Sequence, residues 1–297
     1  MFVSVIVPNY NHSKFLPKRL DSILSQTYQD FELIILDDCS TDSSAEVIES
    51  YSNNEKVSHI VINDHNSGST FVQWQKGFRL AKGELIWIAE SDDYCTLDFL
   101  QEMVSAFQEN NNLAFAYCTS NLVDGDGNLL NRKDTANKIP GRVFDGIHFI
   151  KRYMLSGNSV WNASAVVMRK DFALRADKQY MNYKSAGDHI FWIELAEMGE
   201  VVHISKKMNF FRQHGNKVTP AKTKDGTTYR EEKSIFSYII SKYSISGAHV
   251  LRARSSFILR ILEGEFLSEA VRKELLQLWN YKKWMKPFIL RAIIHVL

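Results

Sequence analysis

The first third of the chain alternates short apolar runs, rich in β-branched residues, with segments that carry apolar side chains at helical spacing. The runs are apolar at nearly every position, which is typical of strands buried on both faces of a sheet. Strands that alternate with helices predict an α/β fold in which helices cover the sheet. The candidate strands lie at residues 3–7, 31–36, 60–62 and 85–89.

The pattern changes twice further along the chain. From about Ala114 the strand candidates become shorter and turns more frequent, and after about Pro220 the chain is helical in pattern with few turn residues. We therefore predict one domain over residues 1–219, with halves at 1–112 and 113–219, followed by a helical region at 220–297. The later strand candidates lie at residues 163–168, 201–204 and 208–211.

Charge and cysteine content narrow the class of protein. The formal net charge of the 297 residues is only +2, so the overall field does not favour nucleic acid as a partner. The three cysteines form no CxxC or Cys/His metal spacing, which fits a reducing compartment. No basic segment precedes the apolar run at residues 2–7, and no stretch reaches the ~18 to 20 apolar residues that span a bilayer. We expect a cytoplasmic protein without a signal peptide.

Three polar clusters follow predicted strands, at the edge where ligands bind in open α/β sheets. They lie at residues 8–11, 37–40 and 90–93. The adjacent carboxylates of Asp92 and Asp93 suit Mn²⁺ or Mg²⁺, which accept hard oxygen ligands. Paired acids also occur on solvated loops, so this pair alone leaves both interpretations open.

The cluster around Asp38 suits a nucleotide base. A carboxylate at Asp38 can accept the imide N–H of uracil, and Tyr10 at the end of the first strand can stack on the ring. The alternatives are structural, because an acid of this cluster can cap the helix expected after Thr41 and Asp42, and Tyr10 can be a packing residue.

The order of these clusters resembles that of the family-2 glycosyltransferases, which have the GT-A fold. Five segments follow one another as in that family, and their common register is more specific than any one of them. The segments are VSVIVPNYN at 3–11, SQT at 25–27, ELIILDDCSTD at 32–42, NSG at 66–68, and AKGE at 81–84 with SDD at 91–93. SAGDHIFW at 185–192 and FRQH at 211–214 extend the resemblance to about residue 215.

The resemblance implies a GT-A fold with a central mixed, mostly parallel sheet and a C-terminal helical appendage. Residues 1–112 would form the nucleotide-sugar-binding half and residues 113–219 the acceptor half. Pro8, Tyr10 and Asp38 would hold the nucleotide base. The carrier favoured by the Tyr10 and Asp38 pair is UDP.

The resemblance also assigns the reacting groups. Asp92 and Asp93 would bind Mn²⁺ or Mg²⁺ beside the nucleotide, and His214 would approach the metal or the diphosphate. Asp188 would be the catalytic base of an inverting transfer, which needs a carboxylate near the acceptor hydroxyl. Both residues have a structural alternative. Asp188 precedes an apolar helical run and can be a helix cap, and His214 can be a surface histidine on a loop.

The chain departs from the family at residues 71–76, which read FVQWQK where many members carry an arginine. Lys76 lacks the bidentate fork of arginine and has no assigned role. Trp161 can stack on the apolar face of an acceptor sugar or pack in the core. The run DGDGN at 124–128 lacks the glycine and glutamate of a calcium loop and predicts a turn.

The last residues combine an apolar stripe with basic side chains. No acidic residue occurs at 281–297, a composition suited to an anionic membrane surface. Docking of the stripe on the other C-terminal helices is an equal alternative. Membrane contact would place the protein at the inner face of the cell membrane and favour a lipid-linked acceptor. The basic residues are Lys282, Lys283, Lys286 and Arg291.

The expected function is transfer of a sugar from a nucleotide-diphosphate sugar to a hydroxyl of a glycan or lipid-linked acceptor, in surface polysaccharide synthesis by family habit. A sugar nucleotidyltransferase is the first rival, but residues 8–11 lack its glycine-rich, basic phosphate loop. A dehydrogenase would need a GxGxxG motif after the first strand, and none is present. A non-catalytic sugar-binding or scaffold protein is the rival from another class, and the full set of acids argues against it.

Overall fold

The computed structural model describes residues 1–130, 139, 141–214, 218–265 and 267–286, and at 218–220 and 284 it describes the backbone alone. The chain divides into two compact units. Unit 1 comprises Met1–Gly146, Val160–Asp177 and Glu194–Gly215. Unit 2 comprises Ile147–Ser159, Lys178–Ile193 and Asn216–Leu297, so it takes in two earlier segments besides the C-terminal region. The domain boundaries expected from the sequence stay a prediction.

Unit 1 is built on a single mixed sheet. Its order is β3-β2-β1-β4-β8-β6-β9-β5, and β7 also pairs with β9. Strands β1 to β4, β6 and β9 run in one direction and β5, β7 and β8 in the other. The expected mixed, mostly parallel sheet is therefore confirmed. The strands are β1 (Val3–Asn9), β2 (Phe31–Asp37), β3 (Val57–Ile62), β4 (Leu85–Ile88), β5 (Tyr94–Cys95), β6 (Leu113–Val123), β7 (Arg142–Phe144), β8 (Val166–Arg169) and β9 (Glu200–Arg212).

Helices connect and cover these strands. The first four are α1 (Leu16–Leu24), α2 (Ser44–Glu49), α3 (Thr70–Leu80) and α4 (Phe99–Glu109). The others are α5 (Gly146–Phe149), α6 (Lys170–Arg175), α7 (Gly187–Ala196), α8 (Val218–Lys224), α9 (Thr227–Lys242), α10 (Gly247–Glu263) and α11 (Glu269–Leu278). Short helical turns lie at Ile150–Met154, Ala163–Ala165, Lys178–Asn182 and Lys283–Met285.

Three of the parallel strands, β1, β2 and β4, are buried on both faces, whereas β3 at the edge of the sheet is partly exposed. Every residue of β1 and β2 is buried, which accounts for their continuous apolar runs. Val5 and Val7 pack in one cluster with side chains of α1 and α4. Ile6 points to the other face, where Gly77 of α3 lies so close that a Cβ would meet it at 2.5 Å. Each such apolar side chain stabilises the fold by roughly 1.5–3 kcal/mol relative to an exposed one.

Strand β9 corrects the expectation of short strands in the second half. Residues 201–204 and 208–211, predicted as two strands, belong to one strand of 13 residues. Ile204 pairs with Cys118 and Lys207 with the next residue of β6, so two residues bulge between them. The exposed polar residues 205–207 interrupt the apolar pattern without ending the strand.

The turn before β4 is fixed to β1 and β2. The amides of Lys82 and Gly83 donate to Ser4 Oγ at 3.1 and 2.8 Å, and Ser4 donates to Glu32 Oε1 at 2.6 Å. Burial opposes ionisation of Glu32, but hydrogen bonds from Ser4, Ser58 and the Lys82 amide hold its pKa below the ordinary value. A Cβ at Gly83 would lie 2.6 Å from the Ser4 nitrogen and 2.7 Å from the carbonyl oxygen of Phe2, just before β1. The AKGE segment thus needs glycine for close backbone packing.

We expect Gly83→Ala to destabilise the protein by about 1–3 kcal/mol or more, because the added methyl meets backbone that cannot move aside. Thermal unfolding followed by fluorescence would show a lower midpoint. Gly247→Ala is the matched control, since no heavy atom lies within 4 Å of the Cβ position there. Equal midpoints for the two variants would contradict the packing argument.

Unit 2 contains the C-terminal helices, which the sequence predicted. Aromatic rings of Phe236, Phe257 and Trp279 form their core, with centroids of the last two 4.8 Å apart. Buried Glu232 of α9 accepts two hydrogen bonds from Arg260 of α10, at 3.0 and 2.9 Å. Among the described residues, none of the helices has the length and apolar character to cross a membrane. Residues 287–297 lie outside the described part, so their contact with membrane or protein stays a prediction.

Candidate active site

The carboxyl ends of β1, β2 and β4 bring the three predicted polar clusters to one edge of unit 1. The ladder between β1 and β2 continues to Asn9 and Asp37, whereas the ladder with β4 ends opposite Ile6. Pro8 lies beyond the β4 ladder, where a missing N–H does not interrupt the pairing. Tyr10 follows directly and is 45% exposed, which leaves its ring accessible for stacking.

Buried Asp37 shapes this edge. Its carboxylate accepts hydrogen bonds from Asn9 Nδ2 at 2.7 Å, from Ser40 Oγ at 2.6 Å and from the Ser40 amide at 2.8 Å. Cys39 in this turn and Asn11 after β1 have positive φ, 62° and 55°, a conformation that non-glycine residues adopt rarely. Asp37 therefore fixes the turn that presents the neighbouring acid.

Asp38 is buried and organises the loop after β3. Its Oδ1 accepts hydrogen bonds from Asn63 Nδ2, the Ser67 amide and Gln73 Nε2 at 2.7 to 2.9 Å. Its Oδ2 accepts one from Ser67 Oγ at 2.7 Å. Each carboxylate oxygen has two lone pairs, and Oδ2 accepts one of these four hydrogen bonds whereas Oδ1 accepts three, so Oδ2 keeps capacity for a further donor. Lys76 joins the same network by donating to Asn63 Oδ1 at 2.5 Å.

Two histidines and one aspartate come together at this edge. His214 Nε2 lies 2.9 Å from Asp92 Oδ2, and His12 Nδ1 lies 2.8 Å from Ser91 Oγ. The rings of His12 and His214 meet edge to face with centroids 5.4 Å apart. One ligand atom from each of His12, Asp92 and His214 lies within 4.8 Å of the others. We call these three residues the His–Asp–His group.

Asp93 lies outside that group. It is buried, and its Oδ2 accepts a hydrogen bond from Asn162 Nδ2 at 2.6 Å while its Oδ1 accepts one from the Arg212 amide at 2.9 Å. The Arg212 side chain donates to the Asp92 carbonyl at 2.7 Å and to two carbonyls of the turn at 124–125. These contacts tie β9 to the acidic segment. Asp93 as a metal ligand stays a prediction, alongside this structural role.

Glu90 adds a third acid to the segment. Burial raises its pKa to about 8, and the charges of Asp92 and Asp93 add to the rise. Its Oε1 accepts a hydrogen bond from Trp74 Nε1 at 3.0 Å, and its carbonyl accepts one from Arg19 Nε at 2.9 Å. Burial and the neighbouring acids thus both favour the protonated form of Glu90.

Asp188 lies in unit 2, in the first turn of α7. Burial raises its pKa to about 7, although hydrogen bonds from the His189 amide, at 2.8 Å, and from Asn158 Nδ2, at 2.8 Å, favour the charged form. The charge of Glu231 adds to the rise. A carboxylate with a pKa near neutrality is suited to accept a proton from a hydroxyl. The hydrogen bond from the His189 amide, which belongs to the first turn of α7, also fits the capping interpretation.

The other residues singled out from the sequence have defined places. Asp124 Oδ1 accepts hydrogen bonds from the amides of Asp126 and Asn128, which confirms a turn at 124–128. Trp161 is 41% exposed, beside the Asn162 that contacts Asp93. Helix α2 begins at Ser44, later than expected, and Asp42 accepts a hydrogen bond from the Ser44 amide at 3.0 Å.

Sequence reasoning missed three residues that the structure places at these sites. His12 follows the PNYN motif directly, so a histidine at a strand end was the available signal. Asn158 and Glu231 contact the segment of Asp188 from distant parts of the chain, and no local pattern indicates them. Such contacts depend on the tertiary fold.

The fold is that of the GT-A glycosyltransferases. The structure of Staphylococcus aureus TarS residues 1–349 matches with a TM-score of 0.66 and 20% identity, over 98% of this chain and 79% of that one. The same TarS fragment in complex with UDP-GlcNAc matches with a TM-score of 0.60. The mannosyltransferase PcManGT from Pyrobaculum calidifontis, in complex with GDP-Man and Mn²⁺, matches with a TM-score of 0.58 and 14% identity, over 98% of this chain and 86% of that one.

The Glycosyl transferase family 2 model matches residues 4–173, more than half of the chain, and the protein belongs to that family. Glycosyltransferase GlyG of Streptococcus pneumoniae is 33% identical over 127 residues, 43% of this chain and 42% of the relative. Chondroitin synthase of Escherichia coli is 27% identical over 205 residues, 69% of this chain and 28% of the relative. The chain spans about half or less of the length of the first curated relatives that it matches.

Proposed function

We propose that the protein is an inverting glycosyltransferase that moves a sugar from a nucleotide-diphosphate sugar to a hydroxyl of a glycan or lipid-linked acceptor. The observation that carries this proposal is the His–Asp–His group at the strand edge that also presents Tyr10 and Asp38. A sugar nucleotidyltransferase has less support, because the turn after β1 has no glycine-rich basic loop.

The donor nucleotide is assigned to the edge of β1 and β2. Exposed Tyr10 can stack on the base, and the remaining capacity of Asp38 Oδ2 suits one N–H donor, such as the imide of uracil. The contacts of Asp38 with Asn63, Ser67 and Gln73 hold its carboxylate in one orientation before a ligand arrives. UDP is therefore the favoured carrier, and TarS, a fold relative, has been crystallised with UDP.

The His–Asp–His group fits a divalent metal ion. Two imidazole nitrogens and a carboxylate oxygen suit Mn²⁺ better than Mg²⁺, which prefers oxygen ligands throughout. We assign Asp92, His214 and His12 as the protein ligands, with Asp93 and Arg212 holding the segment that carries Asp92. When bound, the ion supplies positive charge to the departing diphosphate.

Asp188 is assigned as the base that takes the proton of the acceptor hydroxyl. Attack by an oxygen at the anomeric carbon breaks the bond to the diphosphate, and the proton of the attacking hydroxyl moves to the carboxylate. A pKa near 7 leaves a large part of Asp188 charged at neutral pH and makes it a stronger base than an ordinary aspartate.

The acceptor class follows from the names of relatives. Poly(ribitol-phosphate) β-N-acetylglucosaminyltransferase TarS of Staphylococcus aureus is 34% identical over 114 residues, and chondroitin synthase is a relative over a longer segment. Both names refer to a polymer. We therefore propose a role in surface polysaccharide synthesis at the cytoplasmic side of the membrane, with peripheral membrane contact through residues 281–297.

Calorimetric titration of the purified protein with UDP, GDP, CDP and dTDP, each with and without Mn²⁺, tests the donor assignment. We expect binding of UDP that strengthens in the presence of Mn²⁺, because an ion held by the His–Asp–His group would supply positive charge to the diphosphate. Titration with uridine is the control, since it keeps the base and lacks the diphosphate. Manganese-independent binding, or binding of none of the four nucleotides, would contradict the proposal.

A further inference from the structure

The segment that carries Asp188 is held by a carboxylate from another helix of unit 2. Glu231 of α9 accepts hydrogen bonds from three consecutive backbone amides, those of Lys184 at 2.7 Å, Ser185 at 2.9 Å and Ala186 at 2.8 Å. Ser185 Oγ also lies 2.8 Å from Thr228 Oγ1 of the same helix. One turn of α9 therefore fixes the chain immediately before α7.

These hydrogen bonds fix the position at which α7, the helix that carries Asp188, begins. Helix α7 starts at Gly187, so the three bound amides belong to the residues that lead into its first turn. A carboxylate near a helix N-terminus is favoured by the amides directed toward it and by the helix dipole. Bonds from N–H groups to a charged acceptor are about twice as strong as neutral ones, so the segment has one strongly preferred conformation.

On its other side, Asp188 contacts the segment at residues 154–158, which also belongs to unit 2. Asn158 Nδ2 donates to Asp188 Oδ2, and His189 Nε2 lies 3.0 Å from the Met154 carbonyl. Gly157, at φ 133°, would place a Cβ 4.0 Å from Glu232 Oε1, which belongs to the ion pair between α9 and α10. Gly157 therefore lies near the ion pair of α9 and α10, and residues 184–186 are bound by Glu231 of α9.

We propose that Glu231 is a positioning residue for sugar transfer: its carboxylate fixes the 184–186 backbone and with it the orientation of Asp188. The inference rests on the proposed function, because it assigns Asp188 as the base. It gives the C-terminal helical region, which lies beyond the residues matched by the family model, a part in the reaction.

Charge gives the proposal a second readout. The charged and titratable groups that act on Asp188 and its neighbour His189 are Glu231 of α9 and Arg260 of α10. The negative charge of Glu231 disfavours ionisation of Asp188, so its removal lowers the pKa of Asp188. A residue that only stabilised the fold would not move the pH dependence of the reaction.

Hydrogen–deuterium exchange of the intact protein tests the hold on the backbone. In Glu231→Gln and Glu231→Ala, we expect the amides of residues 184–186 to exchange at least about 10-fold faster, because they lose bonds to a charged acceptor. Peptides from β1 and β2 should exchange as in the wild type, which controls for folding. Glu263→Gln is the matched control, an exposed glutamate at the end of α10 in the same unit.

Turnover is measured on the same variants as hydrolysis of the UDP-sugar that the wild type hydrolyses fastest in a panel, with water as acceptor. We expect kcat to fall roughly 10- to 100-fold in Glu231→Gln, as for a displaced catalytic group, with unchanged calorimetric binding of UDP and Mn²⁺. The acid limb of the pH profile should move to lower pH.

The outcomes separate the two assignments. Unchanged exchange at 184–186 overturns the role of Glu231, whatever the kinetics. Faster exchange with unchanged kcat and pH profile, while Asp188→Asn has lost turnover, shows a structural role only and also overturns it. Faster exchange together with full turnover in Asp188→Asn shows that the proposed base is wrong, and the catalytic role of Glu231 falls with it.

Discussion

Asp188→Asn is expected to lower the rate of sugar transfer by about 10²- to 10⁴-fold, the contribution typical of a general base, while UDP binding stays at the wild-type level. The amide cannot accept the proton of the acceptor hydroxyl. Its one oxygen can still accept from the His189 amide, and its NH₂ group can donate to Asn158 once the Asn158 amide turns over. The measurement combines release of UDP from a UDP-sugar with calorimetric titration of UDP.

The pH profile supplies the control for this variant. The base must be charged, and the pKa of Asp188 is raised to about 7, so the wild-type rate should fall about 10-fold for each pH unit below that value. The residual rate of Asp188→Asn should lack this limb. Full turnover in the variant, or an unchanged acid limb, would show that another group removes the proton.

Asp92→Asn should abolish the effect of Mn²⁺ on nucleotide binding. Loss of a partner that merely orients a metal ligand costs about 10- to 100-fold in metal affinity, and loss of a ligand should cost at least as much. Asparagine keeps the shape of the side chain and removes its charge. The measurement is titration of UDP into the variant at increasing Mn²⁺ concentration.

Asp126→Asn is the control for Asp92→Asn, since Asp126 is an exposed acid whose ion pair with Lys14 is at the surface.

The variant Asp93→Asn distinguishes the two roles considered for Asp93, a metal ligand and a structural hydrogen-bond acceptor. A stability loss of about 1–3 kcal/mol with retained manganese dependence fits the hydrogen bonds to Asn162 and Arg212, and lost manganese dependence fits a ligand. Retained manganese dependence in Asp92→Asn would contradict the His–Asp–His assignment.

Strands β1, β2 and β4 could be predicted because their burial is visible in the residues of each strand alone. Strands buried on both faces must be apolar throughout, so β1, β2 and β4 stand out in the sequence, and their polar ends mark the ligand edge. Strand β9 could not be predicted whole, because the bulge and the exposed residues 205–207 break the apolar pattern. Strand β5, with only two residues, carries no readable pattern.

The site residues that belong to sequence motifs could be predicted. Those that reach the site only through the tertiary fold could not. Asp38 and Asp92 follow predicted strands, so their position at the edge follows from the α/β pattern. The approach of His12 to Asp92, and of Glu231 to residues 184–186, depends on how distant segments pack. No short spacing pattern in the sequence indicates these contacts.

The length of chain that separates the members of the His–Asp–His group limits when donor recognition can arise during synthesis. Asp92 and His214 are 122 positions apart, and His12 lies 79 positions before Ser91, the neighbour of Asp92. The ladders of β1 with β2 and of β2 with β3 join neighbouring segments and close short loops, so they can form early. A ribosome-bound chain that has not yet released residue 214 lacks one of the three members of the His–Asp–His group, even if these early ladders have formed. On the proposed metal assignment, we expect manganese-dependent donor binding only after the end of β9 has joined the sheet.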